Sequence, residues 1–253
     1  MTDKPYVVAV IPARYGATRL PGKPLVPLAG KPMIQRVWER ARQAKRVSRV
    51  IVATDDERIV KVVEAFGGEA RMTRADHRSG TERVAEVAAQ VEGDVFVNVQ
   101  GDEPLLDPAS VDVAVETLLE EPRAAVATVA TPIKSASDIM DPNVVKAVLD
   151  FDGNALYFSR APIPWVRDTA HRVHARYLKH LGLYVFQRGA LLEFPTLPQG
   201  ELERLEQLEQ LRWMENGWKI RVGEVEHDSV SVDVPEDVAR VEKLLGAEPK
   251  ATK

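Results

Sequence analysis

Residues 7–25, VVAVIPARYGATRLPGKPL, constrain this chain more than any other stretch. Val7 to Ile11 are five apolar residues rich in β-branched side chains, which reads as a buried strand. Pro12 is expected to end it. Gly16, Pro21, Gly22 and Pro24 punctuate the residues that follow, so they form a loop. That loop carries Arg14, Arg19 and Lys23, and no Asp or Glu occurs between Asp3 and Glu39. A cationic, glycine-bearing loop directly after a first buried strand is where an α/β protein places a polyphosphate. Backbone N–H groups and Lys or Arg side chains converge there on several oxygens. A solvated surface loop with scattered charges is the alternative, and the missing acids favour phosphate.

The loop fits neither G-x-x-x-x-G-K-[ST] nor G-x-G-x-x-G. Gly22-Lys23 is followed by Pro24, so no helix is expected to start there with a free N–H. A P-loop ATPase and an NAD-type dehydrogenase are disfavoured. A fold that holds a triphosphate on an extended loop is favoured.

With 253 residues the chain has room for one large or two small domains. A net charge of −4 argues against a general nucleic-acid binder. The absence of cysteine excludes disulfides, zinc–thiolate sites and thiol nucleophiles. The first residues lack a cationic n-region and the apolar run behind them is short, so neither a signal peptide nor a membrane span is expected. The expected location is the cytoplasm.

Residues 32–45 read as a helix with Met33, Val37 and Trp38 on its apolar face. Residues 49–53 are a second strand, 57–66 a helix behind the capping segment Thr54-Asp55-Asp56, and 69–72 a third strand. This order predicts a parallel, doubly wound sheet with crossover helices. Its ligand then lies beyond the carboxyl ends of the strands, where the cationic loop sits. Ser79 and Glu82 form an S-x-x-E capping box, so a helix is expected near Gly80. Free N–H groups there could meet a base or ribose oxygen, although a plain helix cap explains the pattern as well. The loop before it carries Arg74, His77 and Arg78. Residues 94–99 are a fourth, strongly apolar strand running into Gln100-Gly101-Asp102-Glu103-Pro104. Asp102 either caps a turn before Pro104 or holds Mg²⁺ on a substrate phosphate, since magnesium needs only one or two carboxylates beside phosphate oxygens. Its position favours the metal.

The second half is less regular. Strands are expected at 124–131, 144–149, 154–158 and 177–186, with Asp152-Gly153 as a hairpin turn. Arg160 follows the hairpin, and His180 opens the last of these strands. The Arg-rich residues 166–176 read as a solvated variable loop. Residues 202–216 are expected to form one helix with Leu202, Leu205, Leu208 and Leu211 as its core stripe. Periodicity alone leaves Glu209 and Gln210 in solvent. Asp233 precedes Pro235, which opens the last helix.

In chain order, IPARYGATRLPGKPL, MTRADHRSGTER, VNVQGDEP, NALYFSRAPIPW, HLGLY, LEQLR and VDVPEDV resemble the 3-deoxy-manno-octulosonate (Kdo) cytidylyltransferases, or CMP-Kdo synthetases. The resemblance runs from about residue 7 to about 245. The first motif alone would also suit other sugar nucleotidyltransferases, including CMP-sialate synthetases. The family resemblance implies one nucleotidyltransferase domain over 1–253, with a smaller antiparallel, dimer-forming part at about 124–190. It implies a cytoplasmic, Mg²⁺-dependent homodimer that activates Kdo for lipopolysaccharide synthesis. Its substrates are CTP and Kdo, and it involves neither nucleic acid nor membrane.

Residue by residue, the resemblance implies that Arg14 and Lys23 hold the triphosphate, with Arg19 nearby. Ser79 and Gly80 meet the cytidine, with Arg74 close by. Asp102 and Asp233 bind magnesium. Gln100, Arg160, His180, Glu209 and Gln210 line the sugar pocket, which revises the solvated reading of Glu209 and Gln210. No general base is evident, so metal activation of the attacking hydroxyl is expected. Ala17 stands where many family members carry a small hydroxyl residue, so a side-chain hydroxyl contact to phosphate is lost there. A cytidylyltransferase for 8-amino-Kdo or a sialate-like acid is the alternative enzyme. A non-catalytic nucleotide-binding regulator is expected to lack Asp102 or Asp233, and both are present.

Overall fold

A computed structural model describes residues 4–16, 20–168 and 175–247. By its internal packing the chain, expected as one domain, divides into two compact units. One combines residues 1–112 with 229–253, and the other spans 113–228.

In the first unit, strand β1 (Val7–Ala13) is followed by a single 3₁₀ turn at Lys23–Leu25 and a minute hairpin, β2 (Pro27–Leu28) and β3 (Lys31–Pro32). Helix α1 (Met33–Ala41), β4 (Arg49–Thr54), α2 (Glu57–Ala65), β5 (Glu69–Met72), α3 (Gly80–Gln90) and β6 (Val95–Asn98) come next. These four longer strands are all parallel, in the order β6-β1-β4-β5. The chain lays β4 and β5 on one side of β1 and then crosses back to place β6 on the other, so the expected doubly wound pattern is present. Val8, Val10 and Ile11 are fully buried. Burying each such side chain stabilises the sheet by about 1.5–3 kcal/mol, an upper estimate for a real unfolded chain.

One sequence expectation needs correction here. Pro12 does not end β1, which continues to Ala13 against β4. Pairing with β6 stops at Val10, so proline's missing N–H costs no ladder bond on that side. A single 3₁₀ turn starts at Lys23 but presents no free N–H, because Lys23 donates to the Leu20 carbonyl, Leu25 to the Gly22 carbonyl, and Pro24 has none.

Helix α4 (Pro108–Leu119) precedes the strands of the second unit. These are β7 (Val126–Pro132), β8 (Lys146–Leu149), β9 (Ala155–Ser159), β10 (Leu178–Gln187) and β11 (Ile220–Glu224). Interspersed helices are α5 (Ala136–Met140), α6 (Arg188–Glu193), α7 (Glu201–Glu206) and α8 (Gln210–Glu215), and α9 (Pro235–Ala247) belongs to the first unit. Within the second unit the strand order is β11-β7-β10-β8-β9, antiparallel except for the β11–β7 pair. The expected hairpin joins β8 to β9, and Gly153 adopts φ +79 at its turn.

The single helix expected over 202–216 is two short ones, broken at Gln207 with φ 51. A strict three-residue spacing of leucines drifts around a 3.6-residue helix and cannot face one core. The break resolves this: Leu208 and Leu211 are buried, whereas Leu202 and Leu205 are exposed. Glu203 and Arg212 form a buried two-point ion pair across the break, at 2.7 and 2.6 Å.

Candidate active site

The reversal of strand order puts a crevice beyond the carboxyl ends of β1 and β6, and a pocket of about 290 Å³ lies there. Its walls include Arg14 and Lys23 after β1, Ser79 and Gly80 at the start of α3, Gln100 and Asp102 after β6, and Asp233 before α9. The two loops touch closely. A Cβ on Gly101 would stand 2.7 Å from the Pro12 carbonyl oxygen, so only glycine lets the β6 loop lie against the end of β1.

The loop after β1 is held by its own backbone. Gly22, at φ 70, donates its N–H to the Tyr15 carbonyl at 3.0 Å, and Lys23 donates to the Leu20 carbonyl at 3.0 Å. The Arg58 guanidinium lies over the Tyr15 ring, 3.4 Å from its centroid. These bonds fix where the Lys23 stem leaves the backbone. Its ammonium donates to Asp102 Oδ2 at 2.6 Å and to Asp233 Oδ1 at 3.0 Å. The lysine side chain is 13% exposed and the carboxylates 32% and 39%. Val232 donates its N–H to the Asp102 carbonyl at 2.9 Å, which brings the two acids together. Asp237 accepts from the N–H groups of Asp233 and Val234, and these bonds hold its carboxyl below the usual range. Arg14 is exposed at the pocket and forms no ion pair among the described residues.

The cap is formed: Ser79 Oγ accepts from the Glu82 N–H at 3.3 Å. The return bond from Glu82 goes not to the Ser79 N–H of a regular capping box but one residue earlier, to the Arg78 N–H at 2.9 Å. Arg74 sits off the pocket wall, exposed, paired with Asp76 at 3.4 Å. Arg19 and Ala17 lie outside the described residues, as do residues 169–174 of the Arg-rich loop. His77 and Arg78, named from sequence only as members of a polar loop, line the pocket, as does Arg83, which was not singled out. His77 packs its ring against Glu86. Burial pushes the Glu86 carboxyl up, but the Arg74 N–H and His77 outweigh it and hold it below the usual range. Arg83 is buried and donates to Asp55 at 3.0 Å. For Arg83, a charge on the inward face of α3 was the available signal.

The remaining expected site residues lie in the second unit. Gln210 is 2% exposed, so the solvated reading from periodicity was wrong and the break at Gln207 is the reason. Glu209 is half-buried. The His180 ring is buried, with Nε2 2.9 Å from Thr128 Oγ1 and Nδ1 3.4 Å from the Gln210 amide nitrogen. Thr128 spends its one hydroxyl proton on a carbonyl, Leu183 at 2.7 Å. It therefore accepts from Nε2–H, and Nδ1 carries the lone pair that the Gln210 amide donates to. Burial lowers the His180 pKa to about 3, so the ring is neutral. The Arg160 guanidinium donates to the carbonyls of Glu206 at 2.7 Å, Pro142 at 2.9 Å and Gln207 at 3.4 Å. Its own carbonyl accepts from Lys146, a fully buried ammonium that also bonds the Asp141 and Val144 carbonyls. Burial lowers the Lys146 pKa.

Asp102 and Asp233 offer hard oxygen donors converging on a point already held by a cation, which suits magnesium. Among the described residues no three His, Cys, Asp or Glu side chains cluster as a closed metal cage. An ion here would complete its shell with phosphate oxygens and water. Among the described residues no helix is long and apolar enough to cross a membrane.

A sequence model of the cytidylyltransferase family matches residues 8–220. A 3-deoxy-manno-octulosonate cytidylyltransferase of Solibacter usitatus is 52% identical over 241 residues, covering 95% of each chain. One of Syntrophotalea carbinolica is 53% identical over 245 residues, covering 94% of this chain and 98% of the relative. A solved CMP:2-keto-3-deoxy-manno-octonic acid synthetase complexed with CTP superposes with a TM-score of 0.92 at 47% identity, over 96% of this chain and all of that one. A 4-diphosphocytidyl-2C-methyl-D-erythritol synthase of Anaerococcus prevotii shares the fold, with a TM-score of 0.64 at 15% identity.

Proposed function

This chain belongs to the 3-deoxy-manno-octulosonate cytidylyltransferase family, and we propose that it transfers CMP from CTP to the anomeric 2-hydroxyl of Kdo. The hydroxyl oxygen bonds to the α-phosphorus, the α–β bridging P–O bond breaks, pyrophosphate leaves and the hydroxyl proton passes to solvent. The product is CMP-Kdo, an activated sugar for lipopolysaccharide synthesis. The observation that carries this reading is the carboxylate pair of Asp102 and Asp233 gathered around Lys23 in a pocket open to Arg14.

The nucleotide and the sugar acid are both anionic, so the chain's cations must offset their repulsion before they react. Arg14 and Lys23 bind the triphosphate, with Arg19 assigned beside them. Ser79 and Gly80 present the amino end of α3 to the cytidine, with Arg74 assigned nearby and Gln100 at the pocket wall. Magnesium, held by Asp102 and Asp233, would polarise the phosphate and lower the pKa of the attacking hydroxyl. Arg160, His180, Glu209 and Gln210, with Gln100, are assigned to the sugar acid. In that set His180 works as a neutral hydrogen-bonding group, and its fixed tautomer orients the Gln210 amide.

The enzyme acts as a homodimer. This is supported by exposed apolar side chains on the second unit: Phe151 in the β8–β9 turn, Leu156 on β9 and Met140 on α5. The cytoplasm is the proposed site of action, in keeping with nucleotide substrates.

Pyrophosphate release with CTP and Mg²⁺, measured against Kdo, 8-amino-Kdo, sialate and sugar 1-phosphates, tests the reading. The highest kcat/KM is expected with Kdo. Asp102→Ala is expected to lower kcat/KM by about 10²–10³, the usual loss for one transition-state charge contact. Release with none of the acceptors would overturn the assignment.

A further inference from the structure

The ammonium of Lys23 stands where an ion bridging Asp102 and Asp233 would have to stand. It is 2.6 Å from one carboxylate and 3.0 Å from the other. Two carboxylates brought this close repel each other, and a cation between them removes the repulsion without any metal. A divalent ion coordinated at about 2.0–2.1 Å by the same oxygens leaves no room for the ammonium at hydrogen-bond distance. The two positive charges would also repel each other across a partly exposed pocket. Lysine and metal therefore compete for the carboxylate pair.

The lysine itself has the means of resolving that competition. Lys23 hangs from a backbone pinned by the Leu20 carbonyl and the adjoining 3₁₀ turn, so its root stays put. Its four-carbon stem and rotatable point charge can change partners without rebuilding a planar fork, which an arginine could not do as readily. A polyphosphate bound beside Arg14 is a stronger anionic partner for the ammonium than two part-exposed carboxylates.

We infer that Lys23 is an internal counter-ion that closes the Asp102–Asp233 pair to a divalent cation until a nucleoside triphosphate draws its ammonium away. This rests on the assignment of those two aspartates as the ion ligands. It makes ion entry conditional on nucleotide, and by linkage the ion tightens nucleotide binding by the same factor. It also reverses the ordinary expectation for losing a charged residue from an active site: removing Lys23 raises the affinity of the free enzyme for metal.

The test is Mn²⁺ binding to nucleotide-free protein, followed by the loss of the free-ion electron paramagnetic resonance signal. Wild type, Lys23→Met, Lys23→Gln and the double variant Lys23→Met with Asp102→Asn are compared. The glutamine keeps a donor for one carboxylate and guards against a methionine variant that folds poorly. Both single variants are expected to bind Mn²⁺ roughly tenfold tighter or more than wild type, within the span that coupled ligands show. The double variant is expected to lose that gain. Equal Mn²⁺ affinity in wild type and both single variants would overturn the counter-ion role. If no variant binds Mn²⁺ and Asp102→Asn leaves the Mn²⁺ requirement for CTP binding unchanged, the aspartates are not the ion ligands and the underlying assignment falls instead.

Discussion

The buried imidazole of His180 gives a pH dependence whose size follows from its surroundings. Phe158 packs edge-on against the ring at 4.8 Å and Tyr184 lies 5.4 Å away, while Thr128 and Gln210 take its two nitrogens. Burial lowers the folded pKa to about 3, against about 6.5 in an unfolded chain. A base whose folded pKa is depressed contributes stability that is present above the unfolded value and is lost as pH falls from there towards the folded one. Between about pH 7 and about pH 5 the unfolded imidazole takes up about three-quarters of a proton and the folded ring takes up almost none. Linkage puts the resulting loss at about 2 kcal/mol, rising to roughly 5 kcal/mol if the whole interval is traversed. Carboxylates titrate mainly below this range, and the other histidines are common to any comparison. Urea unfolding at both pH values, followed by circular dichroism, isolates the contribution when wild type is set beside His180→Gln. Glutamine can still bond Thr128 but does not titrate. The variant's absolute stability will be lower, but its stability should fall by about 2 kcal/mol less than that of wild type between the two pH values. Equal losses in the two proteins would show that the ring is not held neutral by burial.

Gly101→Ala forces a methyl group against the Pro12 carbonyl and pushes the Asp102 loop from the end of β1. Overpacking of this kind costs about 1–3 kcal/mol, and displacement of Asp102 should lower kcat/KM by roughly 10²-fold. Steady-state kinetics on a variant with an ordinary melting transition would separate the two effects, and unchanged turnover would show that the close approach is not needed. Leu156→Asp places a charge on the exposed apolar surface of β9 and should leave a folded monomer in sedimentation velocity, where wild type is expected to sediment as a dimer. A variant that remains a dimer would move the interface elsewhere.

The parallel sheet and its ligand end were legible from the sequence because they rest on local patterns. An apolar β-branched run, a loop full of glycine and proline, and a cap with glutamate three residues on each have one ready physical reading. Asp102 was legible as a strand-end acid. Asp233 was legible only as an acid near a helix start that could serve as a second carboxylate beside Asp102, because what brings the two together is a Val232–Asp102 hydrogen bond between distant segments. The same holds for Gln210. Leucine spacing suggested a continuous helix, and a positive φ at a non-glycine residue, Gln207, breaks it where no turn residue announces a break. Arg83 escaped notice because a charged residue near a cap usually faces solvent. Here it is buried on α3, with Asp55 and Thr73 as its partners. Lys146, satisfied by three carbonyls at complete burial, leaves no trace in periodicity at all.

The acid that completes the Lys23 cluster lies 210 positions beyond the lysine, in a segment that rejoins the first unit after the whole second unit has been threaded. Gathering the cluster therefore closes a chain loop that contains the whole second unit. Loop-closure entropy grows only with the logarithm of length, so an insertion of that size adds little to the cost of bringing Asp233 back to Lys23.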